Sequence, residues 1–298
     1  MKTVAIIGPT ASGKSELAIE CAKKCGTVIL SLDSLSVYKE IDIASAKPSK
    51  EERDEVLHFG IDLIYPNENF SVAHFLKEYE KAREYAKKNG KNLLITGGSS
   101  FYLKTLIDGI SPLPKLSHQT VEKVKRVMAD KSEAYRLLES IDKEFANNIE
   151  PGDSYRIEKG LCIYFQTDLP PTQYFKKHPK RAILKDVEIF EIYVDRDLLR
   201  KRIESRTDKM LKTGLIDEVA ALEKKFGRSY PSMKAIGIAE TLAFLDGKLD
   251  LNGLYEKIVT NTYRLAKRQQ TFNKTQFKEI IRGKREELLH LLPTRLSN

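Results

Sequence analysis

Gly8-Pro9-Thr10-Ala11-Ser12-Gly13-Lys14-Ser15 decides the fold of this chain. The octet satisfies the phosphate-loop spacing Gly-x-x-x-x-Gly-Lys-Ser/Thr at every position. Its surroundings give that spacing a mechanical meaning. The apolar run Thr3-Val4-Ala5-Ile6-Ile7 precedes it and reads as a strand, while residues 16–24 after it read as a helix. The glycines let the loop turn back on itself, so backbone N–H groups and a helix N-terminus point at phosphate oxygens. Lys14 is expected on the outer phosphate oxygens and the Ser15 hydroxyl on Mg²⁺.

Three more apolar runs share the form of the first. Residues 27–32 lead into Asp33-Ser34, residues 92–95 towards Gly97-Gly98-Ser99, and residues 189–194 into Asp195. Continuous apolar runs separated by helix-length segments describe a parallel sheet buried on both faces. In such a sheet the carboxyl ends of the strands line one crevice, where distant polar residues meet. The expected fold is α/β: a P-loop NTPase-like core whose central, mainly parallel sheet is flanked by helices, with a helical insertion domain. The insertion is read from Val121, Val124 and Met128, then Leu137, Leu138 and Ile141, which repeat at helical spacing without a strand among them. Pro112 and Pro114 mark its entry, and Pro170, Pro171 and Pro179 its exit. The expected division is therefore 1–111, 112–188 and 189–298.

Composition narrows the partners. The 298 residues contain 51 Lys or Arg and 42 Asp or Glu, a net charge of +9. Residues 260–298 hold nine of the basic residues and three Glu, so this stretch alone supplies +6. A basic stripe at one end is the footprint of a polyanion, and RNA or DNA is favoured over a membrane because no long apolar span exists and no amphipathic anchor stands out. A helix over residues 254–271 sets Ile258, Leu265 and Ala266 on one face and Thr260, Arg264, Lys267, Arg268 and Thr271 on the other. The segment Lys176-Lys177-His178-Pro179-Lys180-Arg181 adds to the basic surface. No signal peptide is expected, and Cys21, Cys25 and Cys162 show neither zinc nor CxxC spacing, which predicts reduced thiols in a cytoplasmic protein.

A phosphate loop leaves the fate of the phosphate open. Phosphate-transferring enzymes place a Mg²⁺-binding Asp at the end of an apolar strand, and Asp33 and Asp195 are the candidates by position. Asp195 precedes a helical run that it could merely cap, whereas the turn after Asp33 leaves capping a poorer explanation. Three classes fit so far: an enzyme transferring a group to RNA, a small-molecule nucleotide kinase, and an RNA-binding module with an idle loop. His58 and His74 read more readily as structural than catalytic, and Tyr38 as a core aromatic or a base-stacking one.

Seven segments occur in order: GPTASGKS at 8–15, DSLSVYK at 33–39, ASAKPS at 44–49, GGSSFY at 97–102, RTDKMLKTGLIDEV at 206–219, AIGIAE at 235–240 and AKRQQT at 266–271. Together they make the chain resemble the tRNA dimethylallyltransferases over nearly its whole length. The resemblance implies that the loop from Gly8 to Ser15 holds the diphosphate of dimethylallyl diphosphate, and that the five-carbon group moves to the exocyclic amine of the adenosine 3′ of the anticodon. It further implies Asp33 as the general base, with Lys14, Ser99 and Arg206 completing the catalytic set and Mg²⁺ on Ser15. Asp33, Ser34, Leu35, Ser36 and Ser99 are expected on the extruded nucleotide. Tyr155, Arg156, Ile157, Glu158 and Lys159 are expected on the tRNA by the same resemblance, and Arg264, Lys267 and Arg268 from the basic helix face. The departures are Ser36 for a usual Gln, Ser99 for Thr, Tyr155 for Gln, Lys159 for Arg, and Asp168 where the family prefers Gly. A bacterial-type enzyme is expected, since no C-terminal zinc-finger spacing is found, and it is expected to act as a monomer.

Overall fold

The apolar run before the loop becomes strand β1 (Thr3–Ile7), buried at every residue. The remaining strands of the computed structural model, which describes residues 1–296, are β2 (Val28–Ser31), β3 (His58–Phe59), β4 (Leu93–Gly97), β5 (Glu188–Ile192) and β6 (Ile281–Gly283). They form one sheet in the order β3-β2-β4-β1-β5-β6, every pair parallel. The connections leaving β1 and β4 run to opposite sides, which opens a crevice at their carboxyl ends. Ile7 pairs with Gly97 and Ser31 with Thr96, so the loop, the Asp33 turn and the Gly97-Gly98-Ser99 turn all leave the sheet at that edge.

The chain divides into two compact units, one of Met1–Lys104 with the residues from Leu184 onward, the other Thr105–Ile183. The divisions fall a few residues before the positions expected from Pro112 and from the resumption of the sheet pattern. In the first unit the helix Lys14–Cys25 sets Leu17, Ala18, Cys21 and Ala22 against Val4, Ile6, Ile29, Leu94 and Phe190, and the helix Arg285–Leu296 adds Leu288, Leu292 and Leu296 to the same core. All three cysteines are free, with Cys21 and Cys162 buried. Among the described residues, no helix is long and apolar enough to cross a membrane.

The second unit is helical: His118–Val127, Lys131–Ile141, Lys143–Ala146, Ser154–Thr167 and Pro171–Lys177. Val124, Ala134, Leu138, Ile157, Leu161 and Cys162 form its core. Gly160 permits the closest approach there, since a Cβ would stand 2.9 Å from carbons of both Leu138 and Phe145. Two expectations need correction. Val121 is exposed rather than packed. Pro171 does not end the insertion but opens the helix Pro171–Lys177, where a missing N–H costs nothing, and the Asp142 carboxylate accepts from the Thr172 N–H at 2.6 Å.

Asp168 explains one of the departures. It closes the helix Ser154–Thr167 in the left-handed conformation, φ 56°, which a side chain resists and Gly does not. Asp168→Gly is expected to raise stability by up to about 1 kcal/mol, seen as a higher thermal midpoint; a lower midpoint would mean that the carboxylate has a compensating role.

Candidate active site

The loop's geometry follows from its small residues. Gly13 (φ 88°) and, less usually for a side chain, Ala11 (φ 62°) take the left-handed conformation, and the Ser12 N–H donates to the Pro9 carbonyl at 3.2 Å. The chain thus wraps over the N-terminus of the helix Lys14–Cys25. Thr10, Lys14 and Ser15 border a cavity of about 300 Å³. The Ser12 hydroxyl is buried without a partner among the described residues, and a Cβ on Gly8 would stand 3.0 Å from it, so Ser12 faces the inside of the loop. Gly8, Pro9, Ala11, Ser12 and Gly13 are not among the cavity's lining residues, and any diphosphate contact from them would come from the backbone.

Asp33 leaves the end of β2 and turns at once. Its Oδ1 accepts the N–H groups of Leu35 at 2.8 Å and Ser36 at 3.1 Å, so the carboxylate does fix a turn, contrary to expectation. Oδ2 has no hydrogen-bond partner among the described residues and is available to the cavity, which Asp33 lines together with Ser34, Leu35, Ser36 and Ser99. Ser99 secures this turn from the neighbouring strand. Its N–H donates to the Leu32 carbonyl at 2.9 Å, and its hydroxyl accepts the Ser34 N–H at 3.3 Å. The approach demands Gly97, where a Cβ would fall 2.6 Å from the Leu32 backbone.

Arg206 is not a surface ion pair. It projects from the helix Arg196–Lys212 and donates to the Thr10 hydroxyl and to the Ser45 carbonyl, both at 3.4 Å. Burial lowers its pKa while Asp33 raises it. Lys14 donates to the Pro9 carbonyl at 3.0 Å. Burial pushes its ammonium from 10.5 down to about 8, with Asp33 opposing and Arg206 reinforcing the fall. Two cations and one carboxylate, all partly buried, therefore share one cavity, with net positive charge to receive an anion.

The sign of this shift gives a measurable consequence. Between about pH 8 and 10.5 the unfolded chain holds a proton on Lys14 that the folded chain lacks, so this group's contribution to stability rises with pH across that window. An anion beside Lys14 restores the charged form. Diphosphate binding is expected to take up protons near pH 9 and much less at pH 7. Calorimetry in buffers of different ionisation enthalpy reads this directly, and a Lys14→Met variant should lose the uptake.

Several contributors were invisible in the sequence. Gln269, on the helix Leu251–Gln276, accepts the Thr10 N–H at 2.8 Å and donates to the Gly98 carbonyl at 3.0 Å, tying the loop to the β4 turn. Arg202, one turn before Arg206, donates to the Ser12 carbonyl at 3.0 Å. Glu218 accepts three N–H groups, from Asp42, Ile43 and Ala44, at 2.7 to 2.9 Å, and so anchors the segment whose Ser45 carbonyl meets Arg206. Gln269 and Glu218 lie inside quoted motifs, but nothing in their spacing announces a partner. Asp195 stands at the start of the helix Arg196–Lys212, yet its side chain accepts from the Tyr193 hydroxyl instead of capping. His74 makes a capping box with Ser71, and Tyr38 is buried in a core cluster; both are structural.

The expected RNA contacts separate into two groups. Arg264, Lys267 and Arg268 are exposed and make no salt bridge among the described residues; Lys267 lies over the Tyr263 ring at 5.3 Å. In the second unit Tyr155 is 68% exposed, with Lys159 over its ring at 5.4 Å, while Arg156 pairs with Asp153 at 3.3 Å. Glu158 lies 4.0 Å from Lys159. Ile157 is wholly buried in the helical core, which corrects its expected place on the tRNA. One turn of helix cannot turn five consecutive side chains outward.

The donor set fits a divalent ion of the Mg²⁺ type. Among the described residues no three His, Cys, Asp or Glu cluster to hold a metal. Ser15 borders the cavity with no hydroxyl partner among the described residues, which matches an ion that takes most of its ligands from phosphate and water.

A parallel sheet with this loop, a carboxylate and two cations at its carboxyl edge defines a P-loop-type group-transfer enzyme. The family model described as IPP transferase matches residues 36–276. The tRNA dimethylallyltransferase of Nautilia profundicola is 55% identical over 97% of this chain and 98% of its own. Among solved structures, the tRNA isopentenylpyrophosphate transferase of Staphylococcus epidermidis aligns with a TM-score of 0.70 at 30% identity, covering 99% of this chain and 98% of that one. A eukaryotic dimethylallyltransferase, solved as it acts on tRNA, aligns with a TM-score of 0.82 at 26% identity, covering 95% and 74%. The chain belongs to the IPP transferase family, the tRNA dimethylallyltransferases.

Proposed function

We propose that the protein transfers a dimethylallyl group from dimethylallyl diphosphate to the exocyclic amine of the adenosine 3′ of the anticodon in tRNA, releasing diphosphate. The observation that carries this is the cavity's asymmetry. Its loop side offers Thr10, Lys14, Ser15 and Arg206, while Ala44, Met210, Ile236, Ile258 and Leu265 line it with apolar side chains. An isoprenoid diphosphate has the same division. A nucleoside triphosphate would set a polar base and ribose against that apolar lining, which disfavours the kinase reading.

The carbon–nitrogen bond forms as the allylic carbon–oxygen bond breaks, so positive charge grows on the amine and negative charge on the diphosphate. Lys14, Arg206 and the loop N–H groups offset the latter, as preorganised donors do. Mg²⁺, when bound through Ser15 and phosphate oxygens, would neutralise further charge on the leaving group. Asp33 takes the proton on Oδ2, since Oδ1 already holds the Leu35 and Ser36 N–H groups. Ser99 keeps that carboxylate in place through Ser34. The adenosine enters from a single-stranded loop, where extrusion is least costly.

The exposed face of Arg264, Lys267 and Arg268 supplies phosphate contacts, and Tyr155, Arg156 and Lys159 supply others from the second unit. We place the enzyme in the cytoplasm as a monomer. Arg268→Ala is expected to weaken tRNA binding and to reduce the slope of log affinity against log salt by about 0.7 to 0.9, one phosphate contact. An unchanged slope would remove Arg268 from the interface.

The reaction is tested by incubating the protein with undermodified tRNA, Mg²⁺ and labelled dimethylallyl diphosphate. Label is expected at the adenosine 3′ of the anticodon. Folded protein that leaves the RNA unlabelled, or that instead hydrolyses ATP, would overturn the proposal.

A further inference from the structure

The cavity continues from the loop onto the face of the sheet covered by the helix Lys14–Cys25. Strand alternation and register place Ile29, Ser31, His58 and Thr96 together on that face: Ser31 pairs with Thr96, Thr96 with Ile6, and His58 with Ile29. Ser15, Ser31, His58 and Thr96 all border the same cavity. Thr96 is 7% exposed, and its Oγ1 has no hydrogen-bond partner among the described residues. An unpaired buried hydroxyl costs about 1–3 kcal/mol, and Val would fill the same volume without that cost. The hydroxyl therefore implies a partner that the protein itself does not provide.

The other polar residues of the cavity indicate the kind of partner. The His58 Nδ1 donates to the Val56 carbonyl at 2.6 Å, and burial lowers the ring's pKa, so the neutral imidazole keeps Nε2 as an acceptor. Ser31 and Thr96 add hydroxyl oxygens. Water bound to a divalent ion is a strong hydrogen-bond donor, and an ion of the Mg²⁺ type keeps several such waters when most of its other ligands are phosphate oxygens. Outer partners of this kind orient the ligand shell and tune the ion's affinity.

We propose that Thr96 Oγ1 accepts a hydrogen bond from a water on the divalent ion held at Ser15, making Thr96 a positioning residue for that ion. The inference rests on the divalent-ion reading above. It assigns to β4 the task that a strand-end carboxylate performs in many phosphate-loop enzymes, here with a neutral oxygen.

The test is Mn²⁺ binding, followed by electron paramagnetic resonance with inorganic diphosphate present, in the wild type, Thr96→Val and Thr96→Ser. Thr96→Val is expected to weaken Mn²⁺ binding by about tenfold or more, and Thr96→Ser to stay near the wild type. A circular dichroism melt verifies folding in each. Equal affinity in Thr96→Val and the wild type would overturn the Thr96 inference alone. Failure of the wild type to bind Mn²⁺ with diphosphate would overturn the ion at Ser15 as well, and an equal loss in Thr96→Ser would point to packing instead of the hydroxyl.

Discussion

Asp33→Asn is expected to lower single-turnover transfer to tRNA by about 10² to 10⁴-fold, the range for removing a general base, while leaving tRNA affinity nearly unchanged. The choice of Asn follows from the two jobs of this side chain. Oδ1 holds the turn through the Leu35 and Ser36 N–H groups, and an amide oxygen keeps both bonds. Only the proton acceptor at the other position is lost. Asp33→Ala removes both jobs, so it should lose the same turnover and some RNA affinity besides, as the turn from Ser34 to Ser36 loosens. If Asn and Ala lose affinity equally and turnover only in proportion, Asp33 holds the nucleotide and takes no proton.

Lys14→Ala is expected to cost about 10² to 10³ in turnover, comparable to removing one preorganised donor from a developing oxyanion, and to raise the KM for the prenyl diphosphate. Lys14 is partly buried at the cavity wall, and burial lowers its pKa to about 8. A charge so placed is less screened than one on the open surface, which is why its loss should exceed that of a surface cation. The KM for tRNA should not follow, since the basic face from Arg264 to Arg268 is a separate feature of the long helix. Loss confined to tRNA binding would contradict this division of labour.

How much of this was readable from the sequence depended on the physics of each element. Strands β1, β2 and β4 are nearly continuous apolar runs because both their faces are covered, and β5 follows them except at the exposed Glu188 and the buried Glu191, which accepts from Asn273 and Arg282. The edge strands β3 and β6, of two and three residues and only partly buried, leave no run to see, and both went unread. The loop and Asp33 were legible because their chemistry lies within a few residues of sequence. Gln269 and Arg202 were not, since each bonds to a backbone group about 190 residues away or more, and only the fold sets that meeting. Glu218 was hidden for the same reason. Ile157 shows the opposite error: a motif matched whole says nothing of which side of a helix each residue faces, and this one faces inward. Asp168 was noticed as a departure, and the left-handed backbone at that position supplies the reason.

The most direct measurement is a crystal structure of the protein soaked with a non-reactive thio analogue of dimethylallyl diphosphate. The expected result is diphosphate density between the loop, Lys14 and Arg206, with the five-carbon chain along Met210, Ile258 and Leu265 and its first carbon facing Asp33. Density for the diphosphate elsewhere, or displacement of the analogue from the loop by ATP at equal concentration, would contradict it.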